Sequence, residues 1–201
     1  MDFNNRFGDG IKRCEVAVGY IFVKKELCAE ALNASADGTA CYNDGHTMKQ
    51  IRKNDRLAVY GDTVADSVLC HRWYSQGYEK GVWDSMRKES LCNRNLAERG
   101  FSHQLDVCII KNGGTVCVSE KMMATAVEAI LGAVHLDGGV DALTTVMENL
   151  GIIDPLRESV TCNPPSPCGF LVYRSAAIYL RRGVQVHVAR PPQVSRRRAM
   201  K

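Results

Sequence analysis

The sequence predicts an all-α domain, and three patterns point to it. Apolar residues between Arg56 and Tyr74 recur at steps of three and four, the spacing of one helix face. A second stretch, from Lys121 to Leu136, is rich in Ala and Met and ends at a pair of glycines. No part of residues 14–151 alternates convincingly in the manner of a strand. We therefore expect six or seven helices and no sheet in this domain.

The composition is that of a soluble globular protein, with 45% hydrophobic and 24% charged residues in 201. No run of about eighteen apolar residues occurs, so we expect no membrane span. The first ten residues lack the charged-then-apolar layout of a secretory signal, which favours an intracellular location. The nine cysteines form no C-x-x-C pair. Buried thiols are therefore expected, rather than disulfides or a zinc site.

The N-terminal third is predicted to hold two short helices. Residues 1–13 are mostly polar and are predicted to be a flexible N-terminus, so the domain is expected to span residues 14–151. Helical spacing runs from Ile11 to about Asn33, interrupted at Gly19–Phe22. Residues 34–50 have the composition of a loop.

The first long helix is predicted from Arg56 to Tyr74. Gly61 lies inside it, although glycine costs about 1 kcal/mol there relative to alanine. That cost indicates close packing against another backbone. The helix is expected to end at the nearby glycines, and its apolar stripe consists of Leu57, Tyr60, Val64, Val68 and either Leu69 or Trp73.

Three further helices complete the predicted domain. One runs from Asp84, a candidate N-cap, to Gly100. Ser119 is expected to open the next, Lys121 to Leu136, which stops at Gly138-Gly139. The last runs from Val140 to Leu150.

Residues 152–201 differ in character from the domain. They begin with a Pro-containing linker, continue with the strand-like stretches FLVY and VQVHVA, and end in a basic tail. From Leu156 onward there are nine Lys or Arg and one acid, whereas the rest of the chain has 17 basic and 21 acidic residues. Only this tail therefore suggests a nucleic-acid partner by charge.

Four acidic residues are candidates for chemistry. Asp55, Asp62 and Asp66 lie on the first long helix, with Asp55 and Asp62 seven residues apart on one face. Asp66 is one turn beyond Asp62 but points away from that face by about 40° of helix rotation. Asp62 and Glu128 have apolar neighbours, although acids on a helix are ordinarily solvated. An acid in apolar surroundings needs a partner, a metal or a shifted pKa, so this pair indicates an Mg²⁺ or Mn²⁺ site between helices.

Two stretches resemble the signatures of the ribonuclease III family. NDRLAVYGDTVADSVL at 54–69 is similar to an acid followed by R-L-E-F-L-G-D-A-V-L, and ATAVEAILGAVHLDGG at 124–139 to A-D-x-x-E-A-L-I-G-A-x-Y-L-D-G-G. Weaker likenesses, GYIFVKKELCAEAL at 19–32 and SMRKESLCNRNLA at 85–97, fall in the family's order. The R-L-A-x-x-G-D and A-T-x-V-E-A patterns are also similar to small, single-domain fungal members. The resemblance implies the helical fold of the ribonuclease III endonuclease domain.

The resemblance also implies a metal site, but an incomplete one. Carried over position by position, Asp62, Glu128 and Asp55 match family carboxylates that act in catalysis, and the first two would bind Mg²⁺ or Mn²⁺. The other two metal-binding positions are Ala58 and Thr125. Half of the metal-binding set is thus replaced by a methyl and a hydroxyl group. Because the two-metal mechanism needs both ions, this predicts weak or absent hydrolysis.

The partners implied by the resemblance are double-stranded RNA and a second copy of the chain. Family members form homodimers through the first signature helix, where the Phe of L-E-F is Val59 here. Residues 152–201 are too short and too Pro-rich to form the family's usual double-stranded-RNA-binding domain. Their basic residues are expected either to contact phosphates or to be only a solubilising end.

Two functions remain open from the sequence. One is an RNA-processing protein that binds duplex RNA and cleaves it weakly if at all. The other is a non-catalytic structural or assembly module of a ribonucleoprotein or heterodimer, which Ala58 and Thr125 favour. An unrelated metal-binding helical protein would have to match four ordered motifs by chance.

Overall fold

The computed structural model describes residues 6–35, 40–43 and 47–154. The expectations for the linker, the strand-like stretches and the basic tail lie outside these residues. The described part is mostly helical, which confirms the predicted all-α class. Its elements are α1 (Arg6–Val18), α2 (Lys25–Leu32), β1 (Cys41–Asn43), β2 (Met48–Gln50), α3 (Asp55–Ser75), α4 (Lys80–Leu91), α5 (Asn93–Ser102), a 3₁₀ turn (Leu105–Val107) and α6 (Glu120–Asn149).

Helix α6 is the centre of the domain, and α2, α3 and α5 pack against it. Its first half is buried on almost every side from Met123 to Val134, as expected of a helix surrounded by others. Ser119 caps it by accepting a hydrogen bond from the Met122 N–H at 3.2 Å, as its sequence position predicted. By length and composition α6 could also cross a membrane. Its position in the core accounts for that composition.

Helices α3 and α6 cross at two glycines, Gly61 and Gly132. A Cβ added to Gly61 would lie 1.8 Å from the backbone oxygen of Glu128, and one added to Gly132 would lie 2.6 Å from that of Leu57. Only residues without a side chain allow this approach. The close packing predicted from Gly61 is therefore present, and it brings the backbone next to Asp62 against the turn that carries Glu128.

Helix α6 changes direction at Gly139, whose φ of 77° and ψ of −168° are not helical. The predicted break between two helices is thus a kink at the second glycine of the pair. Just before it, the Asp137 carboxylate accepts hydrogen bonds from the Val23 and Lys24 N–H groups and the Tyr20 hydroxyl, at 2.7–2.9 Å. These bonds tie the loop between α1 and α2 to the end of the central helix segment.

The single helix predicted from Asp84 to Gly100 is two helices. The chain is extended at Cys92, with ψ at 149°, and α4 and α5 lie on either side of it. Gly100 is inside α5, where an added Cβ would lie 2.4 Å from the sulfur of Met123. It is therefore a packing glycine and not the predicted helix stop.

Two expectations for the N-terminal third were wrong in part. Helix α1 begins at Arg6, and Phe7 and Ile11 are buried in the core, so residues 6–13 belong to the folded domain. The predicted loop at 34–50 contains a short antiparallel hairpin, in which Tyr42 pairs with Lys49.

The cysteines follow the prediction of buried thiols only in part. Cys14, Cys28 and Cys108 are buried, whereas Cys70 is half-buried and Cys92 is exposed at the break between α4 and α5. All seven cysteines in the described part of the chain are free thiols.

Candidate metal centre

Asp62 and Glu128 lie close to each other at the crossing of α3 and α6. Asp62 follows Gly61, whose Cα lies against the backbone of the Glu128 turn. Burial, followed by the nearby charge of Asp62, raises the pKa of Glu128 from 4.5 to about 7. The structure thus brings together the two acids that the sequence analysis assigned to the metal.

The positions one turn before each acid hold no carboxylate. Ala58 is buried at 3% exposure on α3, and Thr125 is half-buried on α6. Residues three or four apart share a helix face, so both stand beside the acids where the family's missing carboxylates would stand. Among the residues that the structure describes, no three His, Cys, Asp or Glu are grouped to hold a metal ion.

Asp55 lies apart from this pair. It is the first residue of α3, its side chain is 61% exposed, and it forms an ion pair with Lys53 at 2.8 Å. Its charge is not among the causes that raise the pKa of Glu128. The geometry therefore assigns Asp55 to the protein surface at the start of the helix.

Asp66 has a cationic partner that the sequence analysis missed. The Nε–H of Arg87 on α4 donates to Asp66 Oδ1 at 2.6 Å. This bond and the charge of Asp66 raise the pKa of Arg87, with a smaller contribution from Asp62. We call Asp62, Asp66 and Glu128 the acidic site. Arg87 lies within the stretch 85–97 that resembles the family, but sequence spacing does not reveal contacts between two helices.

A second polar pair links α3 and α6 beyond the acids. The Tyr60 hydroxyl and His135 Nδ1 are 2.7 Å apart. Tyr60 stands where the quoted signature has Leu, and His135 where it has Tyr. The pair fixes the orientation of the two helices close to Asp62 through a hydrogen bond between side chains.

The donor set fits one divalent cation. Two carboxylates held side by side, one with a raised pKa, repel each other when both are ionised. A hard dication with oxygen ligands would remove that repulsion, with water filling the remaining positions. Asp62 and Glu128 would hold it. A second dication would lack ligands at Ala58 and Thr125.

The comparisons with known proteins identify the domain that carries these residues. The family model of the Ribonuclease III domain matches residues 55–139, which contain both α3 and the acidic site. Ribonuclease 3 of Magnetococcus marinus is 30% identical over 152 residues, covering 70% of this chain and 59% of that protein. Ribonuclease 3 of Shewanella sediminis is 29% identical over 154 residues, covering 70% of this chain and 62% of that protein. The chain therefore spans about three-fifths of the length of these curated relatives.

Solved structures give the same fold. The nuclease domain of ribonuclease III from Campylobacter jejuni superposes with a TM-score of 0.56 at 23% identity, covering 73% of this chain and 99% of that one. A second structure of that domain gives 0.53 at 22% identity. These relatives are bacterial, so the likeness to small fungal members stays a prediction. The domain match, the curated relatives and the fold agree with one another, and this chain carries a domain of the ribonuclease III family.

Proposed function

We propose that this protein acts in RNA processing by binding double-stranded RNA and hydrolysing it weakly, with one Mg²⁺ or Mn²⁺ at Asp62 and Glu128. The observation that carries the proposal is the pair itself. Two acids from different helices lie at a backbone crossing, where burial and the charge of Asp62 raise the pKa of Glu128 to about 7. Such a shift in a partly buried acid pair is typical of a functional site.

A dication held there would activate water and stabilise charge on the phosphate of an RNA backbone. The chain's own contribution is to position two carboxylates before the ion arrives. Gly61 and Gly132 allow the close crossing of α3 and α6, and the Tyr60–His135 hydrogen bond links the same two helices through their side chains. Pre-positioned ligands lose little entropy when they bind.

The same geometry supports slow hydrolysis. A second ion would need carboxylates on the turns of Ala58 and Thr125, and a methyl group cannot serve as a ligand. In the two-metal mechanism one ion stabilises the attacking oxygen and the other the leaving oxygen. A centre with one ion would lose one of these effects.

Double-stranded RNA and a second copy of the chain are the proposed partners. Val59 on α3 is 72% exposed, and Leu136 on α6 is also exposed. Apolar side chains exposed on the helices that carry the site are consistent with a homodimer that forms through these helices. Two copies would then present two acidic sites to one duplex. The basic residues beyond Leu156 would add phosphate contacts that weaken with salt.

The alternative is a non-catalytic module that assembles with another subunit. Ala58 and Thr125 favour it, since they remove half of the metal-binding set. Retention of Asp62 and Glu128 argues against it. An ionised pair in a partly buried position costs stability, and a functional role explains why both acids are present despite that cost.

One assay separates the two functions. The purified protein is incubated with long duplex RNA and Mg²⁺ or Mn²⁺, beside Asp62→Asn/Glu128→Gln and a matched Glu148→Gln variant on the same α6. We expect slow cleavage that leaves short 3′ overhangs, retained in Glu148→Gln and lost in the double variant. Binding without cleavage would support the assembly module, and a protein that binds no duplex RNA would overturn the proposed function.

A further inference from the structure

We propose that Arg87 binds the RNA phosphate beside the metal-binding pair. Its guanidinium would supply part of the positive charge that a second ion would otherwise provide. This inference rests on the proposed function and names a group that contacts the substrate. The family signatures quoted above assign no role to this arginine. It follows from the contacts of α4 with α3.

The first observation is that Arg87 is tethered but accessible. Its Nε–H donates to Asp66 Oδ1 at 2.6 Å, yet the side chain is 50% exposed. A guanidinium has five N–H donors, and this bond uses one of them. The remaining donors form the planar fork that binds two phosphate oxygens at once.

The second observation is the local charge. The three carboxylates of the acidic site and the guanidinium of Arg87 carry a formal charge of about −2 when all are ionised, which one divalent cation neutralises. In the described part of the chain, Arg87 is the basic side chain hydrogen-bonded to this site. A phosphate entering beside the bound ion would thus meet a second positive charge that belongs to the protein.

A simpler role for Arg87 is to neutralise Asp66. Arg72 serves as a comparison, because it forms an ion pair of the same chemical type. Arg72 on α3 pairs with Glu148 on α6 at 3.2 Å, with its side chain only 13% exposed. That guanidinium is largely enclosed by the fold. Arg87 is the more open of the two, although both sit in pairs of the same chemical type.

The test uses Arg87→Met, Arg87→Lys, the matched Arg72→Met and the double variant Asp66→Asn/Arg87→Met, each first checked for cooperative thermal unfolding. Affinity for duplex RNA is measured against salt in Ca²⁺. We expect Arg87→Met to reduce the slope of log affinity against log salt by about one. Arg72→Met should leave the slope unchanged.

Cleavage in Mn²⁺ is the second readout. We expect Arg87→Met to slow it by about 10²-fold, the usual loss when one donor to a developing oxyanion is removed. Arg87→Lys keeps the charge but not the fork, so it should keep the salt slope and recover only part of the rate.

The double variant separates contact with RNA from neutralisation of Asp66. If Arg87 only balances that carboxylate, Asp66→Asn/Arg87→Met behaves like the wild type, and the inference is wrong. We expect the double variant to bind and cleave as poorly as Arg87→Met. Wild-type binding with an unchanged slope in Arg87→Met would overturn this inference alone, whereas a wild type that does not bind duplex RNA would overturn the proposed function as well.

Discussion

Glu128→Gln should stabilise the metal-free protein above neutral pH, although most substitutions in a core helix destabilise. Burial, followed by the charge of Asp62, raises the pKa of Glu128 from 4.5 to about 7. Each pKa unit corresponds to about 1.4 kcal/mol, so the full difference would be about 3 kcal/mol. The carboxyl is only partly buried, and solvent screening reduces the expected gain to about 2 kcal/mol.

The sign of the pH dependence follows from the raised pKa. The protonated form is favoured by the fold, so this contribution to stability is fully present below about pH 4.5 and is lost as the pH rises through about 7. Gln at position 128 stays neutral throughout. We therefore expect the two proteins to unfold at similar temperatures at pH 4 and to diverge by about 5 °C at pH 8.

The assay is calorimetric unfolding at pH 4, 6 and 8 in a chelator, with Glu148→Gln as the control. Glu148 is on the same helix but pairs with Arg72, so its neutralisation should cost up to about 1 kcal/mol. Added Mn²⁺ should reverse the order, because only the wild type gains binding energy. A Glu128→Gln protein that is no more stable than the wild type at pH 8 would refute the reasoning.

Three other substitutions test the supporting structure. Gly61→Ala should lower the free energy of unfolding, measured by chemical denaturation, by at least about 3 kcal/mol, since its Cβ would lie 1.8 Å from the Glu128 oxygen. The control Gly81→Ala has open space around it and should be neutral or slightly stabilising. Equal effects of the two substitutions would contradict the close crossing. Burial alone would raise the pKa of Asp137, but hydrogen bonds from Lys24, Val23 and Tyr20 lower it overall. Asp137→Ala should therefore reduce the free energy of unfolding by about 2 kcal/mol at pH 7, and by less as the pH falls through the lowered pKa. A loss of stability that is independent of pH would argue against the ionised carboxylate. Ala58→Glu/Thr125→Asp should increase Mg²⁺ affinity by calorimetry, and no gain would show that the metal centre is misplaced.

The parts of the fold that local sequence specifies were predictable. The stripe on α3 placed Leu57, Val68 and Leu69 in the core, and Ser119 marked the start of α6. Gly61 indicated a close helix contact before its partner was known, because an interior helix glycine otherwise only destabilises. Each of these signals acts within a few residues of chain.

The missed elements depend on contacts that are distant in sequence. The break at Cys92 has neither Gly nor Pro to mark it, and the short hairpin lies in a stretch with the composition of a loop. Phe7 and Ile11 are one turn apart, which is the helical spacing, but they stand among polar residues and are buried by packing with the rest of the domain.

The residues of the candidate site were likewise predictable only where the local sequence marks them. Asp62 and Glu128 were identifiable because apolar neighbours make an acid conspicuous. Asp55 has the same helical register as Asp62, but its position at the exposed first residue of α3 gives it Lys53 as a partner instead. Arg87 and His135 are invisible to the sequence pattern, since each acts across two helices.

The central claim is that Asp62 and Glu128 hold one divalent cation, and calorimetric titration with Mn²⁺ tests it most directly. Wild type and Asp55→Asn should each bind one ion per chain, because Asp55 lies apart from the pair. Asp62→Asn/Glu128→Gln should bind none. Two ions per chain in the wild type, or undiminished binding in the double variant, would contradict the account.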